Sequence, residues 1–232
     1  MDVWEHWEVV KLLLEREDID PDATDNVMEF TALSWAIDFG HVGVVKILLE
    51  REDVDPNPDL PESDRVLGVW AAEKRHEGVD KMLLERMDVN PDLAYTKYGQ
   101  TPLSWAAERG YAEVVRILLD RKDVNPDQVD TESGRTPLLW AAENGHERVV
   151  KMLLERKDVN PDHTDTASGE TPLSRAAKCG HEGIVKILLE QKNVNPDQAD
   201  TIEGRTALSW AAENGHNGVV KMLLEREDLN PN

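Results

Sequence analysis

Cysteine is almost absent from this chain. Cys179 is the only one in 232 residues, so no intrachain disulfide and no thiolate metal cluster can form. Aromatic residues other than tryptophan are scarce, with two Phe and three Tyr. A single globule of this length would ordinarily fill its centre with more of them. An elongated array needs fewer, because each unit buries surface only against its neighbours. Basic residues are in deficit: 26 Lys and Arg stand against 47 Asp and Glu, a formal charge of −21. A surface of that sign repels phosphate and forgoes the counterion release that drives nucleic-acid binding. It is equally ill suited to anionic membranes, and it steers basic partners towards itself. Long hydrophobic runs are missing, and VVKILL at 44–49 is far too short to span a bilayer. The opening MDVWEHWEVV has neither the basic start nor the apolar stretch of a secretion signal. Together these absences lead to the expectation of an intracellular, cytoplasmic protein, with the nucleus also open to it.

What the chain has in abundance is self-similarity. Trp35, Trp70, Trp105, Trp140 and Trp210 share a 35-residue period, with Arg175 in the remaining slot. His6, His41, His76, Tyr111, His146, His181 and His216 form a second column in the same register. Asp20-Pro21, Asp55-Pro56, Asn90-Pro91, Asn125-Pro126, Asn160-Pro161, Asn195-Pro196 and Asn230-Pro231 form a third. Within the unit 136–170, Thr136 is a helix N-cap and Pro137 sits at the first helical position, where its missing N–H is harmless. Leu138, Ala141 and Ala142 give that short helix an apolar face, and Gly145 ends it in the left-handed conformation. A second helix runs from Glu147 to Arg156, with Val149, Val150, Leu153 and Leu154 as its stripe. Asn160-Pro161 stops it, and a polar stretch from Asp162 to Glu170 follows.

A T-P-L-x-x-A-A-x-x-G-H-x-x-V-V-x-x-L-L pattern followed by D-V-N, carried by 101–119, 136–154, 171–189 and 206–224 and more loosely by 31–49, resembles the ankyrin repeat. The TPLSWAA wording is similar to that of long fungal ankyrin arrays in multidomain proteins. The resemblance implies an all-α class: a right-handed α-solenoid of helix–turn–helix units with protruding β-hairpin fingers. It assigns 1–232 to one domain, with a half-repeat or cap at 1–20 and repeats at about 21–55, 56–90, 91–125, 126–160, 161–195 and 196–230. Trp4 and Trp7 are expected to plug the first end, and the chain reads as an excerpt of a longer array. Three features depart from the family. The period exceeds the usual ~33 residues, which implies longer fingers. The histidine of T-P-L-H is Ser34, Ser104, Ser174, Ser209 or Leu139, so its bonding between repeats must be supplied otherwise. Gly68 and Arg75 make 66–77 divergent, and that repeat is expected to be the least stable internal one.

Chemistry is hard to find. The histidine column reads as structural, since stacking separates these residues by roughly 10 Å, the spacing of packed helices. The recurring Asp-x-x-Asp-Thr at 127–131, 162–166 and 197–201 lacks the alternating ligands of a calcium loop and reads as solvated finger residues. Cys179, beside Lys178 and near His181, has no evident orienting group or oxyanion donor, so it reads as a semi-exposed thiol. No phosphate-loop, nucleophile-elbow or zinc-protease motif occurs. No catalytic residue, metal or cofactor is assigned, and the chain is not read as an enzyme.

The family implies that a protein partner docks in a concave groove formed by fingers and first helices, and the acidic charge suggests one with basic segments. No nucleic acid, membrane or small-molecule substrate is expected. The positions that vary between similar units mark the groove: Glu108, Arg109, Glu143, Asn144 and Lys178 on the helices, with Tyr98, Arg135 and Arg205 on the fingers. Between them run Trp35, Trp70, Trp105, Trp140, Arg175 and Trp210. Trp and Arg are hot-spot types, yet the indoles could equally be packing between repeats. If they form binding surface, replacing Trp105 and Trp140 by Ala abolishes binding without lowering the melting temperature. The reading that follows is a protein-recognition module of a larger sensor or regulatory protein. The alternative is a purely structural or engineered array with no natural partner.

Overall fold

The computed structural model describes residues 16, 19–56, 78–84, 90–92, 94 and 99–225. Trp4, Trp7, Trp70, Tyr98 and the divergent segment 66–77 lie outside the described residues. The chain forms two compact units, Met1–Asn90 and Pro91–Asn232. The first contains α1 (Ala32–Asp38), α2 (Val42–Leu49) and α3 (Val79–Leu84). Leu33, Ile37, Val45, Leu48, Val54, Val79 and Leu83 bury themselves together there, with Phe30 and Met82 packed against them. The second contains α4 (Pro102–Arg109), α5 (Ala112–Asp120), α6 (Pro137–Glu143), α7 (Glu147–Leu154), α8 (Pro172–Cys179), α9 (Glu182–Leu189), α10 (Ala207–Glu213) and α11 (Asn217–Leu224). Here α4, α6, α8 and α10 pack in sequence as one layer, and α5, α7, α9 and α11 as another.

Helix starts follow from local chemistry. The Thr136 hydroxyl accepts the Leu139 amide at 3.3 Å, and Thr31, Thr101, Thr171 and Thr206 accept the equivalent amides. Each such bond satisfies one of the orphan donors at a helix N-terminus. Ser174 completes a reciprocal box, since its Oγ accepts the Thr171 amide at 2.8 Å. The serine that stands where the family has histidine thus serves its own helix start. The bond between repeats comes from the Gly-His column instead. Nε2 of His146, His181 and His216 donates to the carbonyls of Glu108, Glu143 and Lys178, one unit back, at 2.9, 2.9 and 3.0 Å. α7 ends at Leu154, two residues before the expected Arg156. The Arg156 guanidinium is drawn out of the helical path to Asp158 and to the Leu119 carbonyl of the preceding unit.

The fingers differ from the expected β-hairpins. Among the described residues there is no strand. The loop 130–135 is closed by the backbone bond from Asp130 N–H to the Arg135 carbonyl, and 165–170 by those from Asp165 N–H to the Glu170 carbonyl and from Gly169 N–H to the Asp165 carbonyl. The cause is an aspartate side chain that takes the turn amides a ladder would need. Asp130 Oδ1 accepts from the Glu132 and Ser133 amides, and Asp200 Oδ1 from those of Ile202, Glu203 and Gly204. At each finger base, Asn125, Asn160 and Asn195 cap the amide two residues on across the intervening proline. Their own amides donate to Asp92, Asp127 and Asp162 of the preceding unit. The second aspartate of each Asp-x-x-Asp-Thr is therefore a structural part of the finger and not solvated, Asp130, Asp165 and Asp200 being 2%, 3% and 7% exposed, whereas the first aspartates are half-buried and the threonines exposed.

Candidate functional site: the finger and first-helix surface

The tryptophan column is fastened to the fingers from within each unit. An aspartate ten residues upstream receives the indole N–H: Trp35 to Asp25 at 2.9 Å, Trp140 to Asp130 at 3.1 Å and Trp210 to Asp200 at 3.2 Å. Arg175 preserves the same link, its Nη2 lying 2.7 Å from Asp165 Oδ2. Trp105 has Tyr95 where Trp35, Trp140 and Trp210 have Asp. Its indole is only 5% exposed, against Tyr111 (centroids 5.4 Å apart) and under the Arg109 guanidinium. Trp35, Trp140 and Trp210 are half-buried.

Cations cover these rings. Arg135 lies 4.6 Å from the Trp140 centroid, and Arg205 4.6 Å from that of Trp210. Each arginine also pairs with a glutamate eight residues on, Arg135 with Glu143 at 2.9 Å and Arg205 with Glu213 at 2.6 Å. Gln100 plays the neutral version, donating to Glu108 at 2.8 Å. In the unit that carries Arg175 the signs are exchanged: Glu170 holds the arginine position and Lys178 the glutamate position, paired at 2.9 Å. Arg175 Nε also pairs with Glu170 at 2.6 Å, while its Nη1 reaches Glu143 of the preceding unit at 3.3 Å. Lys178 Nζ extends forward to 3.8 Å from the Trp210 centroid. Three successive units are thereby linked through one charged cluster.

The electrostatics follow the geometry. Burial works against the charge of Asp165, yet the Arg175 guanidinium and the Ser168 amide and hydroxyl hold its carboxyl below the usual carboxylate range. At the finger bases burial prevails: it pushes Asp127 and Asp162 up despite the amides donated by Asn160 and Asn195. Cys179, exposed at the end of α8, has its thiol raised by desolvation and by the nearby Glu143 carboxylate.

The sequence-expected residues from Glu108 to Arg205 thus lie on connected finger and helix positions. Arg109 and Asn144 are exposed, and the Asn144 amide donates to the Trp140 carbonyl. Sequence reasoning placed Glu170 among the varying finger positions but missed the anchoring role of the aspartates. Their signal was the Asp25, Asp130, Asp165, Asp200 column, ten residues before the Trp or Arg slot.

The family model described as ankyrin repeats (3 copies) matches residues 4–60, 69–165 and 157–232. No curated protein matches the chain closely enough in sequence to count as a relative. Among solved structures, the chain is similar to the ankyrin repeat protein EF0377, with a TM-score of 0.75 and 24% identity over 84% of this chain and 98% of that one. It is also similar to the ankyrin repeat domain of Bcl-3, a member of the IkappaB protein family, with a TM-score of 0.73 and 22% identity over 84% and 85%. Ankyrin repeats are generally protein–protein interaction modules. No described helix is long and apolar enough to cross a membrane. On the matched residues and their described helix–turn–helix units, the chain belongs to the ankyrin repeat family.

Proposed function

We propose that the finger and first-helix surface of residues 99–225 recognises a protein partner carrying basic segments. The carrying observation is the preorganised arginine–tryptophan–glutamate set, which repeats in register while its residue types change from unit to unit. Side chains already held by neighbours lose little further freedom on binding, and Trp and Arg are the types that dominate interface energetics. The acidic excess of the chain favours a basic partner. The test uses Arg109→Glu and Asn144→Arg, both at exposed positions. Partners captured by the intact chain should bind each variant roughly tenfold or more weakly by calorimetry, with the melting temperature unchanged. Unaltered affinity for both variants would remove this surface from the interface.

A purely structural array has one observation in its favour, since many of the charges on this surface are satisfied within the chain. It predicts that no partner is captured at all.

A further inference from the structure

At the base of the repeats, opposite the fingers, an arginine recurs just after the second helix. Arg51, Arg121 and Arg156 each grip the aspartate two residues on through Nε and Nη2. Arg156 directs its remaining nitrogen, Nη1, to the Leu119 carbonyl at the end of α5, 3.0 Å away in the preceding unit. A charged donor from the next repeat thereby satisfies one of the last carbonyls of a helix and meets the negative end of its dipole. Bonds with an ionised donor are the stronger kind.

The following repeat breaks this column. Gln191 and Asn193 stand where Arg156 and Asp158 stand one unit earlier. The Gln191 amide donates to the Ile187 carbonyl of its own helix at 3.4 Å, so it turns back along α9 and not across to α7. Neither replacement is charged, and the two-pronged arginine–aspartate grip is lost with the cross-repeat bond. The end of α7 at Leu154 therefore lacks the clamp that the end of α5 receives.

On the finger side the same seam is bound more heavily than its predecessor. Arg175 Nη1 reaches back to Glu143 at 3.3 Å, and Arg135 Nε lies 3.8 Å from Asp165 of the next unit. Trp140, which holds the slot of Arg175 one repeat earlier, makes its polar bond inside its own unit, to Asp130. The histidine bonds, at 2.9 Å in both seams, and the asparagine amides donated to Asp127 and Asp162 are common to the two and do not distinguish them.

We propose that the seam between repeats 126–160 and 161–195 is a hinge, its base opening and closing at Leu154 and Gln191 while Arg175 and Glu143 hold the finger side as the pivot. In an array each repeat is held only by its neighbours, so a bond missing from one interface is felt at that seam and is not shared through a common core. Hinges are commonly a few residues at the ends of elements. Here the movement tilts α8 against α6 with both helices intact, and the curvature of the stack adjusts at one place.

Spin labels on the intact chain compare the two seams. Lys122, Lys157 and Lys192 are exposed at equivalent base positions of successive repeats, and the spacing of packed helices, roughly 10 Å, suits dipolar EPR. In a Cys179→Ser background, labels at Lys157→Cys and Lys192→Cys should give a broader distance distribution than labels at Lys122→Cys and Lys157→Cys. Adding Gln191→Arg with Asn193→Asp should narrow the first to the width of the second. The converse exchange, Arg156→Gln with Asp158→Asn, should broaden the second, and it decides alone if the former variant loses its helical circular dichroism. On the pivot side, a label at Asn144→Cys paired with one on the native Cys179, both exposed, should give a narrow distribution. Equal widths at the two base pairs, or widths indifferent to the exchanges, would overturn the hinge. Broadening between 144 and 179 as large as that between 157 and 192 would also overturn it, because the seam would then part along its whole height.

Discussion

Asp165 and Arg175 are where a single residue carries most. The Asp165 side chain is fully buried and the Arg175 side chain 11% exposed, so removing the carboxylate charge unbalances a buried cluster and leaves Arg175 to Glu170 and Glu143 alone. Asp165→Asn should therefore lower stability by about 2–4 kcal/mol, towards the range of broken buried pairs and softened by water at the arginine's edge. Chemical denaturation checks this, and pH gives a second check. The folded carboxyl titrates below its unfolded value of ~3.9. Its contribution is thus complete above that value and is lost as pH falls through the lowered one. The gap between Asp165→Asn and the parent should close only in that acid window. Asp162 behaves oppositely, because burial raises its pKa and its ionisation weighs against the fold above that raised value. Acidification should then favour the parent over Asp162→Asn, reversing the slope. If both variants follow the same slope with pH, the assigned roles are wrong. The sequence displayed both columns, yet the repeat alone could not say that one aspartate is bonded to a guanidinium and the other merely buried. That difference depends on which neighbour's side chain arrives.

Elements repeat the lesson with sharper contrast. Helix starts and stops were readable because they depend on adjacent residues: Thr136 caps, Pro137 occupies the first turn and Gly145 takes φ +81. The fingers were not, because the aspartate that replaces a strand ladder also bonds an indole ten residues along the chain. The glycines ending α8 and α10 separate local from stacking effects. Gly180 and Gly215 have nearly identical φ, +75 and +74. A Cβ at Gly180 would lie 2.6 Å from the His216 ring, whereas one at Gly215 meets nothing within 4 Å. Both Ala variants carry the left-handed penalty, ~1–2 kcal/mol. Gly180→Ala should lose about 1–3 kcal/mol more through overpacking, as the histidine leaves the Lys178 carbonyl. Equal losses in urea denaturation would show that histidine stacking on the preceding glycine contributes nothing to the array.

Across the whole molecule the excess of acid acts in two directions at once. A formal charge of −21 opposes the compact state through self-repulsion, and the same field draws in a basic partner. Salt should therefore separate stability from affinity. Between ~50 and ~500 mM NaCl the screening length shrinks from well above 10 Å towards a few ångströms. The free chain should melt higher, since the repulsion relieved outweighs exposed pairs such as Lys221–Glu225, which contribute little. Association with a basic partner should slow, chiefly through the on-rate, while contacts at Trp140 or Trp210 keep dissociation nearly constant. Calorimetry of the free chain and surface plasmon resonance of the complex, in the same buffers, measure the two effects. A rise in melting temperature with a salt-independent on-rate would mean that the acidity belongs to the chain's own energetics and is not used in recognition. The opposite result, a slowed on-rate without stabilisation, would assign the acidity to recognition and leave the chain's own charge balanced by the ion pairs between the fingers and first helices.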